Sequence, residues 1–96
     1  MINVAILGAG SIAQKMARTL SGMIEQGNMK ISMYAVAARD GERARLFARQ
    51  HGFQKAYGSY EELVADPAVH LVYIATPHSH HYQHMKLCLE HGKHVL

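Results

Sequence analysis

The stretch from Ile2 to Leu20 constrains the fold most, because a short apolar run, a glycine turn and a helical pattern follow one another directly. Residues 4–7 are too few for a helix and show no polar alternation, which is typical of a parallel strand buried on both faces. From residue 12 onward the apolar positions recur with a helical period, as Ile12, Met16, Leu20, Met23 and Ile24. This order predicts a strand, a turn and a helix.

Between the strand and the helix lies Gly8-Ala9-Gly10-Ser11-Ile12-Ala13, which has the G-x-G-x-x-G/A spacing of dinucleotide-binding turns. Gly8 allows the tight turn, Gly10 allows a pyrophosphate to approach the backbone, and the small Ala13 allows the helix to lie close to the strand. The free N–H groups and the dipole at the start of the helix favour phosphate binding. We therefore predict a nucleotide site that includes Ser11 and Ile12, the alternative being a plain strand-to-helix turn.

Composition narrows the choice of partners. The chain has 96 residues, of which 49% are hydrophobic, enough for the core of one small domain. Its ten basic and seven acidic residues are scattered without a basic run, so we expect no nucleic-acid partner. The apolar runs are too short to cross a bilayer, and we expect no membrane partner. A single cysteine and the absence of a signal-peptide pattern favour a cytoplasmic protein.

The rest of the chain alternates between strand-like and helix-like segments. We expect the first helix to end near Ile24, with a turn over 25–29. Further strands are predicted at 31–38, 55–57, 69–75 and 93–96, and further helices at 42–51, after the capping-box pair Ser59 and Glu62, and at about 81–91. The pattern predicts one α/β domain over residues 1–96, a doubly wound parallel sheet of the Rossmann type truncated at its fifth strand.

The tip of the second strand, Ala37-Ala38-Arg39-Asp40, bears on the choice of cofactor. Arg39 supplies a cation where a 2'-phosphate would lie, and Ala38 is neutral where NAD-binding sites usually carry an acid, so NADP is favoured over NAD. Asp40 is interpreted as a cap of the next helix, the alternative being a displaced ribose ligand. Arg43, one turn into that helix, is a further candidate phosphate contact, the alternative being a solvated helix face.

A histidine-rich loop, Thr76-Pro77-His78-Ser79-His80-His81, follows the fourth predicted strand, at the sheet edge where such folds bind ligands. Pro77 ends the strand and restricts the loop. Histidines at 80 and 84 have a spacing compatible with a metal, but no carboxylate or cysteine joins them nearby, so we predict no metal site. The last helix is expected to pack through Met85, Cys88 and Leu89, with Cys88 in the core.

Taken together, the chain resembles the N-terminal half of the glucose-fructose oxidoreductase, inositol dehydrogenase and MocA family of NAD(P)-dependent oxidoreductases. The resemblance runs end to end, and within the family it is greatest to the dihydrodiol and D-xylose dehydrogenases, which use NADP. The segments that carry it are Gly8-Ala9-Gly10-Ser11-Ile12-Ala13, Ala37-Ala38-Arg39-Asp40, Tyr57-Gly58-Ser59-Tyr60-Glu61-Glu62-Leu63, Thr76-Pro77-His78 with His81, and Gly92-Lys93-His94-Val95-Leu96.

The resemblance implies that Thr76, Pro77 and His81 lie beside the ribose and nicotinamide of the cofactor. His78 stands where the family has an asparagine, so its partner is left open. The family's catalytic lysine belongs to a Glu-Lys-Pro motif that follows Gly-Lys-His-Val-Leu, and the substrate domain comes after it. Both are expected to be absent from residues 1–96, which leaves no catalytic residue in this stretch.

The resemblance thus implies a cofactor-binding domain of an oxidoreductase that moves hydride between NADP and a sugar, polyol or dihydrodiol. The alternative is a non-catalytic nucleotide-sensing module. We expect the 96-residue chain to be inactive by itself, and to form homo-oligomers through the exposed edge of its last strand.

Overall fold

Strands and helices alternate along the computed structural model, which describes residues 1–27 and 30–96. Within those residues the elements are β1 Ile2–Leu7, α1 Ser11–Glu25, β2 Ile31–Ala37, α2 Gly41–His51, β3 Lys55–Tyr57, α3 Tyr60–Val64, β4 Leu71–Ile74, a 3-10 turn His78–His80, α4 His81–Glu90 and β5 His94–Val95. The first helix ends one residue beyond the predicted Ile24. The predicted turn that follows it includes Asn28 and Met29, which lie outside the described residues.

The five strands form one parallel sheet in the order β3-β2-β1-β4-β5. Leu7 pairs with Ala37 on one side and with Ile74 on the other, so the three central strands end at the same level. The turns that follow these strands therefore meet at one edge of the sheet. The parallel sheet predicted from the sequence is confirmed.

Helices cover both faces of this sheet. Val4 and Ile6 face a core cluster that includes residues of α1 and α2, whereas Ala5 and Leu7 face a cluster that includes residues of α3 and α4. Successive side chains of a strand point to opposite faces, so an unbroken apolar strand requires cover on both sides. The doubly wound arrangement follows from that requirement.

No helix among the described residues is long and apolar enough to cross a membrane.

The buried stripe of α1 differs from the prediction. Ala13, Ala17 and Leu20 are buried, while Ile12 is 53% exposed and Met23 is 36% exposed. Small side chains allow the helix axis to approach the sheet closely, so the alanines rather than the larger residues face the strands. The prediction was therefore wrong for Ile12 and Met23.

The last helix also packs through a different face. Cys88 is fully buried, as predicted, and burial raises the pKa of its thiol to about 11. Met85 and Leu89, however, are 45% and 58% exposed, and His84 is buried in their place. Positions 84 and 88 lie one turn apart on the same face of the helix, whereas 85 and 89 are rotated away from it. The predicted core role of Met85 and Leu89 was wrong.

Candidate functional site

A groove of about 450 Å³ opens where the turns after β1, β2 and β4 meet. Most of the predicted site residues line it: Gly8, Gly10, Ser11, Ile12, Ala38, Arg39, Arg43, Thr76 and Pro77. His78 and His81 are not among the residues that line it. Segments far apart in the sequence therefore converge on one concave surface.

The two glycines of the first turn have different surroundings. Gly8 has φ +107° and donates its N–H to the carbonyl oxygen of Ala37 at 2.7 Å, and a Cβ added to it would lie 2.9 Å from the carbonyl oxygen of Ala75. Gly10 has φ −93°, and a Cβ added there would meet no atom within 4 Å. Gly8 is thus needed where the chain leaves β1, because the ends of β2 and β4 lie close to it on either side. Gly10 leaves open space at the groove.

The amino end of α1 is free to bind an anion. Its N-cap residue, Gly10, has no side chain to accept a hydrogen bond, and the first turn carries no acidic residue. The first helical bond runs from Gln14 N–H to the carbonyl oxygen of Gly10 at 3.0 Å. The N–H groups of residues 11–13 therefore have no partner within the helix, and the helix dipole adds a partial positive charge.

The second helix satisfies its own amino end. The carboxylate of Asp40 accepts a hydrogen bond from the backbone N–H of Glu42 at 2.9 Å. The interpretation of Asp40 as a helix cap is confirmed, although the residue also lines the groove. Because the capping oxygen is already engaged, the role of a ribose ligand has less support.

Two arginines bring positive charge to the groove from the tip of β2 and from α2. Arg39 is exposed and makes no hydrogen bond or ion pair within residues 1–27 and 30–96, so its guanidinium is available to a ligand. Arg43 donates from Nη2 to the carbonyl oxygen of Ala9 at 3.4 Å, a long contact that brings it to the glycine turn. Ala38, between them and β2, is buried and places no charge there.

At the end of β4, two histidines of α4 hold Thr76. His81 donates from Nε2 to the carbonyl oxygen of Thr76 at 2.9 Å, and the hydroxyl of Thr76 is hydrogen-bonded to Nδ1 of His84 at 2.7 Å. Thr76 is 3% exposed and His84 is 8% exposed. His81 therefore acts on the loop rather than on the groove surface, and the exposed His78 contacts it with ring centroids 5.3 Å apart.

The surroundings of His84 favour its neutral form, because they hold the pKa of its imidazole below the ordinary value of 6.5. Burial lowers the pKa most, electrostatic interactions with His80, Arg39 and His81 lower it further, and Glu61 acts in the opposite direction. A neutral ring at this position keeps a buried positive charge out of the wall of the groove.

The histidine cluster offers little to a metal. His80 and His84 have ring centroids 5.8 Å apart, and Nδ1 of His84 is engaged with Thr76. Within the part of the chain that the structure describes, no group of three or more His, Cys, Asp or Glu side chains is placed to hold a metal ion.

Comparison with known proteins places this fold and groove in a family. A sequence profile of the GFO/IDH/MocA oxidoreductase family, NAD-binding Rossmann fold, matches residues 2–96. This chain belongs to that family. The matched residues include the parallel sheet, the glycine turn and all of the residues that line the groove.

Similar proteins agree with this assignment. Mouse (Mus musculus) trans-1,2-dihydrobenzene-1,2-diol dehydrogenase is 46% identical over 91 residues, which cover 95% of this chain and 26% of the relative. Levoglucosan dehydrogenase in complex with NADH superposes with a TM-score of 0.89 at 26% identity, over 98% of this chain and 26% of that one. Biliverdin reductase from Synechocystis sp. PCC 6803, in complex with biliverdin and NADP⁺, gives 0.80 at 28% identity, over 98% and 28%. The chain thus spans about a quarter of the length of these proteins.

Three aromatic residues that line the groove were not predicted from the sequence to be near the cofactor: Tyr60, His80 and His84. His80 and His84 were considered only as metal ligands. One signal could have indicated His84, since it lies four residues before Cys88 on the face of α4 that packs against the sheet. Tyr60 begins α3, and only the parallel pairing of the strands brings that helix to the groove.

Proposed function

We propose that residues 1–96 form the NADP-binding domain of an oxidoreductase that transfers hydride between NADP and a carbon of a sugar, a polyol or a dihydrodiol. The groove is the main support for this proposal. It places the uncapped amino end of α1 and the unpaired guanidinium of Arg39 on one surface. A dinucleotide with a 2'-phosphate has anionic groups at two separate points, and the groove offers donors at two.

The glycine turn fits a pyrophosphate. Gly10 leaves empty the volume that a side chain would fill, beside N–H groups that have no helical partner. In this proposal Gly8 shapes the turn, while Gly10, Ser11 and Ile12 face the phosphates. Arg43, which already reaches the turn at Ala9, adds positive charge to the same region.

Arg39 is proposed to bind the 2'-phosphate. A guanidinium forms parallel hydrogen bonds to a phosphate and stacks on planar rings. Ala38 is uncharged and does not repel the phosphate, whereas a carboxylate at this position would repel it and favour NAD. The relatives support a nicotinamide dinucleotide in general, because one solved structure contains NADH and another contains NADP⁺.

Thr76, Pro77, His78 and His81 are proposed to position the ribose and nicotinamide half. Thr76 and Pro77 line the groove, whereas His81 supports Thr76 through its carbonyl oxygen. When bound, the nicotinamide ring supplies the hydride chemistry. The residues of this domain bind the cofactor and orient it.

The substrate class is proposed from the relatives. The mouse relative is named as a dihydrodiol dehydrogenase, and a structural neighbour as a levoglucosan dehydrogenase. Those proteins are about four times as long as this chain, so we propose that the catalytic lysine and the substrate-binding part lie on further polypeptide. The isolated 96-residue polypeptide is then expected to bind the dinucleotide without turning it over.

Titration of the polypeptide with NADP and NAD tests the cofactor assignment. Replacement Arg39→Ala should weaken NADP binding by about 1.5–3 kcal/mol, roughly tenfold to a hundredfold, because a charge-assisted contact is lost. NAD affinity should change little, since NAD has no 2'-phosphate. Calorimetric titration gives both affinities.

The matched control is Arg49→Ala. Arg49 is exposed in the last turn of α2 and does not line the groove, so its removal changes the net charge by the same amount. NADP should bind this variant nearly as tightly as it binds the parent. Equal affinities of the parent for NADP and NAD, or an equal loss in both variants, would refute the role of Arg39.

A further inference from the structure

Thr76 depends on α4 for its position at the wall of the groove. Its hydroxyl is hydrogen-bonded to His84 Nδ1 at 2.7 Å, and its carbonyl oxygen accepts from His81 Nε2 at 2.9 Å. Both Thr76 and His84 are buried, so water does not readily replace either partner. The side chain of Thr76 can therefore change its hydrogen bonding only if His84 changes with it.

His84 belongs to the groove as well as to the helix. It lines the same concave surface as Arg39 and the glycine turn, and its ring meets the ring of Tyr60 edge-on with centroids 4.8 Å apart. The charged and titratable groups that face it are Arg39 after β2, Tyr60 and Glu61 of α3, His80 of the 3-10 turn and His81 of its own helix. Of the groups that act on its pKa, His80, Arg39 and His81 lower it, and Glu61 raises it.

This surrounding charge opposes protonation of His84 until an anion arrives. Burial comes first among the causes that lower its pKa, and the fixed positive charge of Arg39 adds to it. In the proposed complex the 2'-phosphate bound by Arg39 neutralises that cation and adds negative charge to the groove that His84 lines. The electrostatic cost of an imidazolium at position 84 then falls.

We propose that His84 is a positioning residue that couples binding of the dinucleotide to uptake of one proton, an inference that rests on the proposed NADP site. The proton comes from solvent and is added to the imidazole, and no covalent bond is broken. In the imidazolium form both ring nitrogens donate, so Nδ1–H donates to the oxygen of Thr76. The hydroxyl of Thr76 keeps its hydrogen and can donate it to another acceptor.

The sign of the pH dependence follows from linkage. If binding raises the pKa of His84, the complex holds more protons than the free protein, and affinity increases as the pH falls. Each unit by which binding raises the pKa corresponds to a gain of up to about tenfold in affinity. The affinity changes between the pKa of His84 in the free protein, which lies below the ordinary 6.5, and its higher pKa in the complex.

Calorimetric titration with NADP between pH 8 and pH 6, in buffers of different ionisation enthalpy, counts the protons taken up. The parent should take up protons as the pH falls towards 6. His84→Gln should lack this component, since glutamine keeps a hydrogen-bonding partner for Thr76 but does not titrate. His80→Gln is the matched control, a neighbouring groove histidine without a hydrogen bond to Thr76, and it should retain most of the uptake. Titration of the 2'-phosphate itself is common to all three proteins and cancels in the comparison.

The outcomes separate this inference from the function on which it rests. If the parent fails to bind NADP at every pH between 8 and 6, the proposed function fails and this inference falls with it. Binding without proton uptake, or uptake that persists in His84→Gln, overturns the inference alone. Should His84→Gln not fold, NMR titration of the parent decides: the His84 resonance should titrate at higher pH with NADP than without it, and an unchanged pKa overturns the proposal.

Discussion

Gly8 and Gly10 lie two residues apart in one turn, but a side chain would be excluded for steric reasons only at Gly8. At Gly8 the positive φ and the nearby carbonyl oxygen of Ala75 leave no room for a side chain. At Gly10 the backbone is ordinary and the space is open. One glycine is therefore required by the fold, and we assign the other to the ligand.

This difference predicts opposite effects of two alanine substitutions. Gly8→Ala should lower the free energy of unfolding by about 1–3 kcal/mol, because it forces a strained backbone against a fixed carbonyl group. Gly10→Ala should cost less than about 1 kcal/mol in stability, as expected for an N-cap position, yet weaken NADP binding by at least about tenfold. Urea unfolding and cofactor titration measure the two quantities. A Gly10→Ala variant that binds NADP as the parent does would show that the pyrophosphate lies elsewhere.

At the scale of single elements, the amino ends of α1 and α2 contrast with each other. Both begin beside the groove, but α2 is capped by Asp40 and α1 has no side-chain cap. A helix end that meets its own hydrogen-bonding needs has little left for a ligand. Of these two helices, α1 is therefore the one whose N–H groups are available to a phosphate.

The role of Asp40 leads to a prediction about α2. Asp40→Ala should lower the free energy of unfolding by about 1 kcal/mol, with NAD affinity nearly unchanged, because a cap is lost and not a ribose contact. Asp40→Asn is the control, since asparagine caps helices well without the charge. Chemical unfolding and NAD titration give the result. A tenfold or greater loss of NAD affinity in both variants, with stability unaffected, would favour the ribose-ligand alternative.

At the scale of the whole molecule, Asp66 ties together segments from across the sheet. Its carboxylate accepts from the hydroxyls of Tyr34 at 2.9 Å and Tyr57 at 2.6 Å and from the N–H of Ala68 at 2.9 Å. Its carbonyl oxygen accepts from Nζ of Lys93 at 2.8 Å. Strands β2 and β3, the approach to β4 and the approach to β5 therefore meet at one residue.

This network predicts an acid-sensitive component of stability. Burial by itself raises the pKa of Asp66, but the hydrogen bonds from Tyr57, Ala68 and Tyr34 outweigh it and hold the pKa below the ordinary 3.8. A carboxyl group with a lower pKa in the folded state stabilises the fold at neutral pH, and the contribution is lost as the pH falls below about 4. Asp66→Asn should reduce the free energy of unfolding at pH 7 by about 1–3 kcal/mol and flatten its decline in acid.

Unfolding curves at pH 7 and pH 3 provide the measurement, with Glu90→Gln as the control. Glu90 is exposed at the end of α4 and has no side-chain hydrogen bond or ion pair among the described residues. This variant should behave like the parent at both pH values. If the Asp66 variant keeps the full acid dependence, the network does not control it.

The side of the molecule around β5 predicts self-association. Within the described chain β5 pairs only with β4, and beside it Met85, Leu89 and Leu96 are exposed around a second groove of about 530 Å³. An open strand edge next to apolar side chains favours pairing with a second chain. We expect the 96-residue polypeptide to form dimers or larger species at tens of micromolar in sedimentation velocity. Leu89→Lys should shift the population towards monomer, and a monomeric parent would contradict the prediction.

The sequence by itself determined the order of the elements and most of the groove. Strand and helix periods, glycines and caps act within a few residues, so β3, the cap at Asp40 and the turn at Gly8 could be predicted from local patterns. Nine of the predicted cofactor residues do line one groove, since carboxyl ends of neighbouring parallel strands must meet. Whether they bind NADP stays a prediction.

Only the tertiary structure decided which faces are buried and which side chains meet across the sheet. Ile12, Met85 and Leu89 are apolar, yet they are exposed, because close packing at Ala13, Ala17 and Cys88 sets the rotation of each helix. The bond between Thr76 and His84 likewise depends on where α4 returns to β4, which no local pattern specifies. Local sequence encodes the elements because their hydrogen bonds are local, whereas burial and long-range contacts depend on how all of the elements pack together.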